Sequence, residues 1–401
     1  MRKFYRFLAA VVSAAVVASI GPALYLQDTL PDTFTVTSGE ELQLSSQYDY
    51  ITCENRWDEN CLTVYGSENP SYTAQLRLMG LVKIKDVTIR VADEQDVAIC
   101  GVPFGIKMTT DGVMVVGTGS VQTENGPVSP AKAAGIREGD LLLSVNGQTT
   151  LSNSIIAQLV QQSNGSPISI SYQHEEEKHQ TVLTPALSVS DGRWHIGLWV
   201  RDSSAGIGTL TFCDPTSGAF GGLGHAICDV DTGQLMPLSQ GEVVHASITG
   251  LLPGMPGEPG ELQGAFCGSE VWGVVKRNCP SGIFGQFCSD WSDFPLISTA
   301  HSQEVEEGPA KMLCTISGTE PRYYDVEIER IHSYDDQSGR NLILHITDEE
   351  LLCQTGGILQ GMSGSPLVQN GKLIGAVTHV FVNDPTRGYG IFIDTMLNSM
   401  E

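Results

Sequence analysis

Gly361-Met362-Ser363-Gly364-Ser365-Pro366-Leu367-Val368-Gln369-Asn370-Gly371-Lys372-Leu373-Ile374-Gly375-Ala376-Val377 is the most informative stretch of the chain. Glycines on either side of Met362-Ser363 let the backbone bend sharply, which exposes the Ser363 hydroxyl and frees backbone N–H groups to face a developing oxyanion. Pro366 then sends the chain into an apolar run, and Asn370-Gly371 marks a tight turn between two strands. A serine on a tight loop against a β framework is suited to acyl transfer.

The stretch resembles the Gly-x-Ser-Gly-x-Pro signature of trypsin-like serine peptidases. That resemblance implies Ser363 as nucleophile and the N–H groups of Gly361 and Ser363 as oxyanion donors. It ranks Ser365 lower, because Ser365 occupies the variable position of the signature. Serine needs a base near neutral pKa within hydrogen-bond reach. Of nine histidines, His225 stands out in Gly221-Gly222-Leu223-Gly224-His225-Ala226, a context similar to the His-Ala or His-Cys of trypsin-like chains. His245, His345 and His379 alternate with apolar residues and read as satisfied core or barrel-wall groups. The third member would be a carboxylate that fixes the imidazole tautomer. Asp229, Asp290, Asp335, Asp336 and Asp348 all follow His225, and spacing does not choose among them.

Outward from the serine, residues 187–401 are rich in Gly, Val and Ile with frequent turn signals, the pattern of a mainly β double barrel. Upstream, residues 94–186 change to short strands, one helix and glycine turns. Ser129-Pro130-Ala131-Lys132-Ala133-Ala134-Gly135-Ile136-Arg137-Glu138-Gly139-Asp140, followed by an apolar strand and Asn146-Gly147, closely resembles a PDZ domain. Ile155, Ile156, Leu159 and Val160 recur at helical spacing, the face that packs on the sheet and borders a peptide groove. Pro103-Phe104-Gly105-Ile106 is similar to the loop by which such domains hold a peptide carboxylate, so Phe104, Gly105 and Ile106 are the expected peptide contacts.

Residues 27–93 read as a small β spacer, with period-two alternation over Val82–Val91. The chain starts with Arg2, Lys3 and Arg6 before an apolar stretch from Phe7 to Leu26, so residues 1–26 read as an export signal or membrane anchor. Everything beyond it is expected outside the cytoplasm. A formal net charge of -24 without a Lys/Arg cluster argues against nucleic acid and anionic membrane surfaces as partners. Ten cysteines read equally as disulfide partners, Cys53 with Cys61 and Cys279 with Cys288 being close enough to bridge short loops, or as small buried hydrophobes. No His-Glu-x-x-His or Gly-x-x-x-x-Gly-Lys-[Ser/Thr] run occurs, so neither a metal nor a nucleotide cofactor is expected.

Ala205–Phe212, Gly222–Ala226, Gly308–Thr315 and Thr355–Pro366 together look like the stage IV sporulation protein B peptidases, and the resemblance runs from the apolar start to the last strand. It implies a His, Asp, Ser triad at His225, Asp348 within Ile346-Thr347-Asp348-Glu349-Glu350, and Ser363. It further implies self-cleavage near the N-terminal anchor and cleavage of a membrane-associated regulatory protein between the forespore and mother-cell membranes. The competing reading is an exported PDZ scaffold with an inactive peptidase-like domain. Cys228 and Cys353 flank the His and Ser and depart from that family's pattern.

Overall fold

A computed structural model describes residues 21–27, 30–37, 42, 44, 48–55, 71–91, 95–288, 293–332 and 339–400. The apolar start up to residue 20 lies outside the described residues, and among those described no helix is long and apolar enough to cross a membrane. The expected spacer forms a four-stranded sheet in which Val82–Val91 lies between Thr33–Val36 and Ser71–Leu78. Its alternation buries Val87 and Ile89 and leaves Thr88 and Arg90 exposed, and a register shift at Ile84 brings that residue into the same core.

Two closed barrels follow. The first is built from β1 (Pro103–Thr118), β2 (Leu198–Cys213), β3 (Ala219–Gly222), β4 (Leu238–Leu252), β5 (Glu261–Cys279) and β6 (Gly282–Phe287). These strands pair in the circuit β1-β4-β5-β6-β3-β2 and back to β1. Phe104, Met108, Leu210, Phe220, Val243 and Ile283 fill it. The second consists of β7 (Gly308–Cys314), β8 (Arg322–Ile331), β9 (Leu342–Ile346), β10 (Pro366–Gln369), β11 (Lys372–Phe381) and β12 (Asp384–Phe392), closed in the order β7-β8-β9-β12-β11-β10. Met312, Val326, Ile328, Leu344, Leu367 and Phe392 form its centre. Closure leaves no barrel edge unpaired, and burying both interiors on this scale supplies the main favourable term in folding.

The PDZ module is an insertion within the first barrel. It carries α1 (Pro130–Ala133), α2 (Asn153–Gln162) and the antiparallel strands Leu141–Val145, Ile168–His174 and Glu177–Leu183, around Val113, Ile136, Leu142, Ile156, Val160 and Ile168. Strands β1 and β2 pair along nearly their whole length, from Pro103 opposite Thr209 to Thr118 opposite Leu198. The ribbon they make leaves the barrel at one end and enters the PDZ core at the other. This corrects the expected division at 94–186 and 187–401, because the first strand of the barrel comes before the PDZ module in the chain. A contiguous reading of the sequence assigns it to the wrong unit.

The same ribbon corrects the peptide-loop expectation. Phe104, Gly105 and Ile106 lie inside β1, facing His245, Val244 and Val243 of β4 and Gly208, Ile207 and Gly206 of β2. Their backbone is held in ladders on both sides and Phe104 is fully buried in the barrel, so they cannot cradle a carboxylate. A Cβ on Gly105 would come within 2.6 Å of the Phe266 ring; the glycine is needed for packing. The groove bordered by α2 instead faces residues 194–200, where a cavity of about 860 Å³ is lined by Val121, Gln158, Trp194, Ile196 and Leu198. Ile156 and Val160 point mainly into the core.

Candidate active site

The serine loop starts from a helix. Asp348 caps α3 (Glu349–Thr355), accepting the Leu351 N–H at 2.9 Å, and Gly356 ends it in the left-handed conformation at φ 71°. The chain then passes through Gly361 at φ 97° and Gly364 at φ 93°. A Cβ on Gly364 would meet the Thr209 carbonyl oxygen at 2.0 Å and Leu223 N at 2.5 Å, so no side chain fits where the loop lies against the first barrel. Strand β2 holds it there: the Thr209 N–H donates to the Ser363 carbonyl (3.0 Å), the Thr209 hydroxyl to the Gly361 carbonyl (2.9 Å), and the Thr211 hydroxyl to the Gly364 carbonyl (2.7 Å).

Those bonds occupy carbonyls and leave amides. The N–H groups of Met362, Gly364 and Ser365 donate to Leu359, Val377 and Met362. Among the described residues, those of Gly361 and Ser363 have no protein acceptor. Two free amides flanking the serine hydroxyl suit an incoming oxyanion. Ser365 is fully buried, so it cannot reach a substrate, and Ser363 is the accessible hydroxyl of the pair.

His225 enters from the other barrel, on the turn after β3. His225, Ser363, Thr378 and His379 line one cavity of about 450 Å³ where the barrels meet. The His225 Nδ1 lies 2.8 Å from the Ala226 carbonyl. A carbonyl only accepts, so Nδ1 carries the hydrogen and Nε2 keeps its lone pair. Burial lowers the His225 pKa below the ordinary imidazole value, against a smaller opposing pull from the Ala226 carbonyl. The Ser363 hydroxyl donates to the Thr378 carbonyl at 2.6 Å, a resting arrangement in which serine and imidazole are not yet bonded to each other.

Four positioning residues escaped sequence reading. Thr209 and Thr211 grip the serine loop, as described. Asn278 holds the segment after His225: its Oδ1 accepts the Ile227 N–H (2.8 Å) and its Nδ2 donates to the Ile227 and Met236 carbonyls (2.9 and 3.0 Å). His379 lies against His225, with ring centroids 4.8 Å apart. Burial, then the neighbouring His225 and Arg340, push its pKa down to about 4. The alternation around His379 marked it only as a core or barrel-wall residue; Thr209 and Thr211 lie in the Ala205–Phe212 stretch that carries the family resemblance but had no role there, and no motif flags Asn278.

Asp348 is engaged elsewhere. Beyond capping α3 it accepts the Asp325 N–H at 3.3 Å, and it does not line the cavity that holds His225 and Ser363. Asp229 is buried and bound by Arg201; Asp290, Asp335 and Asp336 lie outside the described residues. Cys100, Cys213, Cys267, Cys279, Cys288 and Cys314 are free thiols, as are Cys228 and Cys353, which are exposed. Cys61, and so any bridge to Cys53, lies outside the described residues.

A model of the SpoIVB peptidase S55 family matches residues 192–397, just over half of the chain. The chain belongs to this family. A PDZ domain model matches residues 125–173, inside the insertion. The S55 match begins after the PDZ module, so β1 falls outside it although that strand completes the first barrel. Among solved structures, the chain is similar to the crystal structure of the PDZ domain of an SdrC-like protein from Listeria monocytogenes, at 24% identity over 23% of this chain and 90% of that one, with a TM-score of 0.19. No curated protein matches. Family membership and the PDZ module together make this an S55-type serine peptidase carrying a peptide-binding domain.

Proposed function

We propose that the chain is a serine endopeptidase in which Ser363 attacks the scissile carbonyl while His225 Nε2 takes its proton. The Gly361 and Ser363 N–H groups receive the oxyanion. His225 then returns the proton to the leaving amine, and water, activated by the same imidazole, hydrolyses the acyl-enzyme. The observation that carries this reading is the presence of His225 and Ser363 in one cavity between the barrels, beside two amides with no internal acceptor. A rotation about the Ser363 Cα–Cβ bond is required to exchange the Thr378 carbonyl for the imidazole. Such tightening on substrate binding is common in serine enzymes.

Asp348 is carried as third triad member by family resemblance alone. The same resemblance supports self-cleavage, a membrane-associated regulatory substrate and a setting in intercompartmental signalling during sporulation, with the N-terminal segment as membrane attachment and the PDZ groove as peptide site. The scaffold reading draws on one observation, the Ser363 hydroxyl bonded to a carbonyl and not to a base. Fluorophosphonate labelling of the purified chain, with self-processing followed in parallel, separates the two. Labelling that Ser363→Ala abolishes and Ser365→Ala retains supports the peptidase. An unreactive Ser363 in a folded chain supports the scaffold.

A further inference from the structure

We infer that the cavity beside Ser363 is an aliphatic specificity pocket, taking a Leu- or Met-sized side chain on the acyl side of the scissile bond and rejecting charged ones. The inference rests on reading Ser363 as the nucleophile. One wall is the segment leading directly into the serine, Ile358 to Gly361; the opposite wall is Thr378 to Val380 of β11, whose Thr378 carbonyl receives the serine hydroxyl. A residue whose carbonyl sits at Ser363 must place its side chain between these walls. They present Ile358, Leu359 and Val380, and no Asp, Glu, Lys or Arg is among the residues lining the cavity.

The turn between β4 and β5 reaches this cavity at Pro259. The Gly254 N–H donates to the Thr355 carbonyl (2.8 Å), the Gly257 N–H to the Val382 carbonyl (2.8 Å), the Gln360 N–H to the Gly260 carbonyl (2.8 Å) and the Leu262 N–H to the Gln360 carbonyl (2.8 Å). This strap is stitched to the serine loop and to the β11–β12 turn, and it sets Pro259 and Val382 at the cavity's rim. Its glycines are dictated by close approach: a Cβ on Gly260 would stand 2.3 Å from the Leu252 carbonyl oxygen. The acidic side chains of the two covering segments give no counter-charge inside. Glu258 is exposed, and Asp384 accepts from the Thr386 hydroxyl at 2.6 Å. A Lys or Arg entering this pocket would be desolvated without a partner, whereas an aliphatic side chain gains by leaving water.

The test uses the full chain and amidated peptides, which lack the free carboxylate a PDZ groove would hold. Peptides differing only in a Leu, Met, Lys or Asp at the cleavage position are assayed for turnover by the parent chain, and for binding to Ser363→Ala by fluorescence anisotropy. The expected result is kcat/KM for Leu and Met about 100-fold above Lys and Asp, with the same order in Ser363→Ala binding. Val382→Asp, at a position already about half exposed (52%), is expected to raise the Lys-to-Leu ratio of kcat/KM at least about tenfold, and an unchanged ratio counts against the pocket assignment. Equal or inverted preference for the charged peptides in Ser363→Ala overturns the pocket assignment, whatever the serine does. An unreactive Ser363 with the binding order intact overturns the peptidase reading and leaves the pocket standing.

Discussion

Two imidazoles share the cavity with Ser363, and both are pushed toward the neutral form. For His225 this suits the role of base, since only the neutral ring accepts a proton. Its pKa lies below the usual imidazole value of about 6.5 because burial disfavours the cation. The acid limb of a kcat/KM profile is therefore expected to be centred below pH 6.5, and a limb centred above 7 would contradict it. His379 is pushed down to about 4. A folded-state pKa depressed below the unfolded one contributes stability that is present above about pH 6.5 and is lost as pH falls through the folded value. Thermal unfolding followed from pH 7 to 4 is expected to show a decline that His379→Phe reduces, since phenylalanine keeps an aromatic ring against His225 and removes the titration. An identical pH dependence in the two chains would deny His379 that role.

At the scale of elements, α3 explains why Asp348 is ambiguous. Thr347-Asp348-Glu349-Glu350 before an apolar run is a helix start, with the acidic residue as N-cap and more acid in the first turn, and the structure uses it so. Asp348→Ala is expected to destabilise the chain by about 1 kcal/mol through loss of the cap, seen as a lowered unfolding midpoint. Asp348→Asn keeps the cap and removes the charge. If the carboxylate serves His225 in the working enzyme, Asp348→Asn loses activity at unchanged stability; if it is a cap alone, Asp348→Asn works like the parent. The sequence made the serine loop and the His225 turn legible because glycines placed for backbone reasons are local signals. Thr209, Thr211 and Asn278 were not legible, because ordinary polar residues acquire their roles only when strands far apart in the chain meet. Phe104-Gly105-Ile106 misled for the same reason: an aromatic-glycine-aliphatic triplet describes a carboxylate loop and a barrel strand equally well until its ladder partners are known.

For the whole molecule, the insertion of the PDZ module between β1 and β2 makes one ribbon common to both units, and Arg201 sits on it. Arg201 forms an ion pair with Asp229 and a second with Asp231 at 2.9 Å. Both lie on the turn that follows His225 and precedes β4, and Asn278 anchors the start of the same turn at Ile227. Burial raises the Asp229 pKa, but the Thr232 N–H and hydroxyl, Arg201 and the Asp231 N–H outweigh it and hold the carboxyl below its ordinary value. Its contribution to stability is thus present above about pH 4 and lost as pH falls through the folded pKa. On the PDZ side, the Gly139 turn lies against the Gln234 side chain, which a Cβ at Gly139 would strike at 2.4 Å. A shift of the ribbon therefore bears directly on the segment that carries the base. Arg201→Met is expected to leave both hydrophobic cores intact, since each packs apart from the other, and to leave Asp229 buried without its cation. The consequence is loss of about 1 to 3 kcal/mol, together with local loosening of residues 226–236. Hydrogen exchange should show faster opening at those amides with the β8–β9 amides unchanged, and the rate of Ser363 labelling should fall. Unchanged exchange and labelling in Arg201→Met would mean that the ribbon holds the two units together without linking the PDZ module to the base.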